Sequence, residues 1–131
     1  MPGTDPTAKR IVIGSHLDSV AQGVDYDGTA GVLAGVAVAV GLRKAGITPR
    51  RAIEVMAIRS EEGGAWFPTP FPGSRAVLGL MEPEALATPR MDGSITLEQA
   101  LRQSGFDPDW CRSGKRKLGP HNVAAYVELH I

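Results

Sequence analysis

An α/β fold, with a partial and mostly parallel sheet flanked by helices, is what three features of this sequence predict. Lys9 to Ser15 is a β-branched run without polar alternation, which suits a strand buried on both faces. Gly28 to Ala45 is rich in Ala, Val and Leu and closes on Arg43 and Lys44 with Gly46 beyond them, a helix stop signal. Pro49 then punctuates a connection to Ala52–Ile58, a second apolar run of strand length. Strand, helix and strand at this spacing make a βαβ unit.

The remaining elements follow in order. Gly63 to Pro72 holds three prolines among glycines and aromatics and reads as a loop. Ser74 to Leu80 reads as a short helix capped by Ser74, and Ile95 to Gln103 as another, with Thr96 as N-cap and Gly105 past its end. Asp107 to His121 is polar and irregular, and its Lys115-Arg116-Lys117 cluster reads as a solvated loop. Val123 to His130 is the last predicted strand. No internal repeat or low-complexity segment interrupts this order.

Bulk properties bound the function. The chain has 131 residues, about one domain's worth, and 43% apolar content, enough for a real core. Its 14 basic and 14 acidic residues cancel, so charge gives no reason to expect nucleic acid or a membrane as partner. The single Cys111 fits a reducing compartment, and Met1 to Pro6 lacks the pattern of a signal peptide, so a cytoplasmic location is expected. Thr29 to Leu42 is the most apolar segment, but a span needs about 20 such residues. The Gly31 and Gly35 spacing within it is expected to permit close helix–sheet packing.

The candidate chemistry lies where the apolar runs end. In an open parallel sheet, ligands sit outside the carboxyl ends of the strands. His16, the pair Glu61-Glu62 and His130 fall at such ends, and Asp27 lies in the loop after the first strand. Imidazoles and carboxylates together suit zinc, and also manganese, cobalt or nickel. One carboxylate can bridge two cations, and two divalent metal ions can ionise a bridging water for hydrolysis. In the glutamate pair, one residue could bind metal while its neighbour takes the proton from that water. Asp18 could accept from the second imidazole nitrogen of His16 and fix its tautomer. Singly, each of these residues has an ordinary structural explanation; their order along the chain carries the inference. A serine-hydrolase reading lacks its Gly-x-Ser-x-Gly elbow, and Gly28, Gly31 and Gly35 fit no phosphate-binding spacing.

Gly14-Ser15-His16-Leu17-Asp18-Ser19-Val20, Tyr26-Asp27-Gly28, Glu61-Glu62-Gly63, Gly73-Ser74-Arg75 and Glu128-Leu129-His130-Ile131 together resemble the allantoate amidohydrolase and N-carbamoyl-L-amino-acid hydrolase branch of the M20 metallopeptidase family. The resemblance implies that residues 1–131 are the N-terminal part of a dinuclear metallohydrolase catalytic domain, with 63–72 a loop inside it. The sheet would then be an incomplete version of a zinc-peptidase-like domain, without the lid and dimerisation domain of the family. It also implies roles. His16 and His130 would bind one metal, Asp27 would bridge two, Glu62 would bind the second, Glu61 would be the general base, and Asp18 would support His16. The reaction would be hydrolysis of an amide or ureido C–N bond in a small N-carbamoyl or ureido substrate, and full-length relatives would be homodimers. Where family members have paired glycines this chain has Gly23-Val24, and its 63–72 loop is richer in proline. For the chain alone, partial metal binding and little turnover are expected. The alternatives are an M20-type aminopeptidase and a non-catalytic α/β remnant that acts by association.

Overall fold

β1, Arg10–His16, is the central strand of a three-stranded sheet, with β2, Ile53–Ile58, on one side and β3, Val123–Val127, on the other. Both neighbours run parallel to it; Ile13 stands opposite Val55 and Val127, and His16 opposite Ile58. An unalternating apolar run suits a parallel strand covered on both faces, and β1 formed from such a run. Val12, Ser15 and His16 are all but inaccessible to solvent. This computed structural model describes residues 1–23, 25–63 and 66–131. The expected Gly23-Val24 departure and the expected 63–72 loop therefore each fall partly outside the described residues.

Between β1 and β2 the chain forms α1, Thr29–Lys44, ending at Ala45 with Gly46 at φ +71°. Its two buried residues are Gly31 and Gly35. A β-carbon on Gly31 would stand 2.6 Å from Ser15 Cβ, and one on Gly35 would stand 3.1 Å from the Ile13 carbonyl. The Gly-x-x-x-Gly spacing thus lets the helix backbone lie close against β1. Leu33, Val36, Val38 and Val40 are exposed on the same helix. β3 ends at Val127, so residues 128–130, expected to continue the strand, lie beyond the ladder.

The chain divides into two units. Met1–Arg59 with Leu118–Ile131 form the first, which holds the sheet and α1; Ser60–Lys117 form the second. The second contains α2 (Pro72–Leu78), a 3-10 helix (Pro83–Ala87), α3 (Leu97–Gln103) and α4 (Pro108–Arg112). Phe67, Met81, Leu86, Leu97 and Cys111 form its core, with Ala76, Ala85, Ala100 and Leu101 against it. Burial pushes the Cys111 thiol above its ordinary range, with Asp107 adding to the shift.

Three local expectations needed correction. α2 begins at Pro72 rather than Ser74, because proline at the first helical position has no N–H to lose. Ser74 is therefore no cap; its backbone N–H donates to Glu61 Oε2 at 2.9 Å. The polar 107–121 stretch contains α4, whose cap Asp107 accepts from the Asp109 N–H ahead of Pro108 at the helix start. Thr96 does cap α3 as expected, in a reciprocal capping box with Gln99.

Candidate metal centre

His16, the last residue of β1, projects beyond its carboxyl end and is 1% exposed. Its Nδ1 lies 2.6 Å from the backbone carbonyl of Asp18. A carbonyl only accepts, so this bond assigns the proton to Nδ1 and turns the lone pair of Nε2 outward. The carboxylate of Asp18 is farther away, with Oδ1 3.9 Å from Nδ1. The support expected from the Asp18 side chain thus comes, at closest range, from its main chain.

Gly28 explains how the ring fits. It sits at φ +66°, and a β-carbon there would fall 2.3 Å from His16 Nδ1. Only a residue without a side chain can turn the chain into α1 this close to the imidazole. This packing role of Gly28 is all but silent in the sequence. Its one signal was a glycine directly after a candidate ligand.

Asp27 stands in the turn before α1. Its Oδ2 accepts from the Val20 backbone N–H at 3.1 Å, which fixes the carboxylate. Its Oδ1 faces the histidines, 3.7 Å from His16 Nε2 and 4.0 Å from His130 Nε2. His130 lies three residues past the end of β3, and its Nε2 is 3.0 Å from that of His16. The rings are tilted by 39° with centroids 5.2 Å apart. The first unit therefore brings His16, Asp27 and His130 together, with Asp18 behind them. Glu61 and Glu62 belong to the second unit, where Glu61 is bonded to the start of α2.

The three donors fit a divalent cation. Two imidazole nitrogens and a carboxylate oxygen are borderline ligands of the kind zinc takes. A point equidistant from the three atoms, given their separations of 3.0, 3.7 and 4.0 Å, lies about 2.1 Å from each, within the usual range for zinc–nitrogen and zinc–carboxylate bonds. Lone pairs crowded this closely repel unless a proton or a cation lies between them.

A parallel α/β sheet that gathers two imidazoles and a carboxylate at its strand ends defines a class: α/β chains with a candidate metal centre beside the sheet. The chain belongs to peptidase family M28, whose sequence model matches residues 1–101. The number differs from the M20 designation attached to the motif resemblance, but the relatives lie in the branch that those motifs indicated. The chain is 46% identical to an N-carbamoyl-L-amino acid amidohydrolase of Geobacillus stearothermophilus over 98% of its own length and 31% of the relative's. It is 33% identical to an allantoate amidohydrolase of Bacillus subtilis over 100% of its length and 31% of the relative's. A crystal structure of a hydantoinase/carbamoylase family amidase from Burkholderia ambifaria superposes with a TM-score of 0.77 at 38% identity, covering 100% of this chain and 30% of that one. The chain thus spans about a third of the length of the curated relatives it matches. Among the described residues, no helix is long and apolar enough to cross a membrane.

Proposed function

We propose that this chain carries the metal centre of an amidohydrolase that cleaves non-peptide C–N bonds, as in N-carbamoyl-L-amino acids or allantoate. The observation that carries the proposal is the approach of His16 Nε2, His130 Nε2 and Asp27 Oδ1 to within 4.0 Å of one another. The names of the relatives supply the substrate class. In this reading His16, Asp27 and His130 would hold a divalent ion, zinc foremost, and a second ion with Glu62 as its ligand enters through the motif resemblance alone. A divalent cation supplies Lewis acidity toward a carbonyl oxygen and lowers the pKa of water.

The other steps belong to the chain's own groups. Glu61 is the general base that takes a proton from the attacking water. The Ser74 N–H on its Oε2 holds the carboxylate in orientation. The Asp18 carbonyl fixes the His16 ring, so that Nε2 would be oriented to hold a cation. The reading extends to a cytoplasmic location, where the lone Cys111 stays reduced. Homodimeric assembly enters it through the motif resemblance alone.

One observation favours a second reading: the matching family model is that of a peptidase family. Assays of a full-length version of the protein with zinc or manganese separate the two. Ammonia released from N-carbamoyl-L-amino acids or allantoate, with dipeptides left intact, is the expected outcome. Cleavage of dipeptides with the ureido compounds untouched would move the assignment to an aminopeptidase.

A further inference from the structure

His16 and His130 are held very differently. His16 is buried, ends a strand with neighbours on both sides, and is bonded at Nδ1. His130 is 45% exposed in its side chain and sits in a tail beyond the last ladder pair, Ile13 with Val127. A ligand on such a tail loses orientation unless something ties the tail down.

The tie is on the preceding turn of chain. Ser15, completely buried and next to His16, donates its hydroxyl to Glu128 Oε1 at 2.5 Å, and Glu128 precedes His130 by two residues. Gly31 of α1 makes room for it: a β-carbon there would fall 2.6 Å from Ser15 Cβ and 2.3 Å from the Leu129 carbonyl. One hydrogen bond and one bare helix position thus join the end of β1 to the tail that carries the second histidine.

We infer that Ser15 and Glu128 form a latch that positions His130 against His16. They are positioning residues that act through His130. The inference rests on the metal-centre reading for its purpose, while the latch itself is a property of the chain. Gln at 128 retains an oxygen that accepts from Ser15, whereas Ala at either position removes the bond.

The test has two arms on the same variants. In the metal-free chain, a nuclear Overhauser contact between the His16 and His130 rings reads the latch directly. We expect it in the wild type and in Glu128→Gln, and expect it to be lost in Ser15→Ala and Glu128→Ala while folding is retained. In the second arm, zinc titration should show affinity about tenfold weaker in each alanine variant, no weaker in the double variant than in the single ones, and near wild type in Glu128→Gln. A ring contact absent from the wild type, or unchanged in folded Ser15→Ala, overturns the latch. If the ring contacts behave as expected but the wild type takes up no zinc, the latch stands and the metal-centre reading falls.

Discussion

A β-carbon at position 28 would fall 2.3 Å from His16 Nδ1, on a backbone at φ +66° that side chains rarely adopt. Gly28→Ala should therefore displace the imidazole and weaken zinc binding by about tenfold or more, as loss of ligand support generally does. Calorimetry beside circular dichroism checks this, and undiminished affinity in a folded variant would show that the ring does not need this seat. The two aspartates should separate in the same assay. Asp27→Asn removes the charge of a proposed ligand and should cost zinc affinity about tenfold or more. Asp18→Asn leaves in place the carbonyl that bonds His16 Nδ1 and should cost clearly less. The donors themselves were legible in the sequence because each ends an apolar run or lies in the turn that follows one. The carbonyl and the Gly28 seat were not, because a backbone acceptor leaves no mark on residue identity.

α3 and α4 of the second unit are capped by polar side chains. Thr96→Ala removes the side-chain half of the capping box and should lower stability by about 1 kcal/mol, measurable as a shift in urea midpoint. Glu98 in α3 is bonded first by Arg112 and then by Arg102, and these hold its carboxyl below its ordinary value of 4.5. A carboxyl lowered on folding adds stability that is present above its unfolded value and is lost as pH falls through the folded one. Urea midpoints should therefore fall on acidification through this range, and less steeply in Glu98→Gln. Equal slopes would deny Glu98 a part in acid sensitivity, although Asp5 and Asp92, also lowered, act in the same direction. β1 and β2 were readable as apolar runs of strand length, α1 by its composition and stop signal, and α3 by its cap. α4 was hidden because its five residues show no apolar stripe, though its Asp-Pro start is a recognisable cap in hindsight.

Across the whole chain, the sheet-forming unit announced itself in long apolar runs, while the second unit gathers a core from residues scattered through short helices and loops. Phe67 is one of these, contributed by the proline-rich stretch that reads as mere loop. Leu86, 1% exposed at the centre of that core, should cost about 2–5 kcal/mol when cut to Ala, measured by hydrogen exchange of the α3 amides. The family branch was legible from five short motifs in order, and similarity over nearly the full chain supports it, although the chain spans only about a third of the relatives' length. Everything functional follows from whether the donors at the strand ends take up a cation. Calorimetric titration of the chain with zinc, set beside His16→Ala and Asp27→Ala, measures this directly. The wild type should give a saturable heat that both variants lose or show at least about tenfold weaker. Identical titration curves for all three would contradict the metal centre.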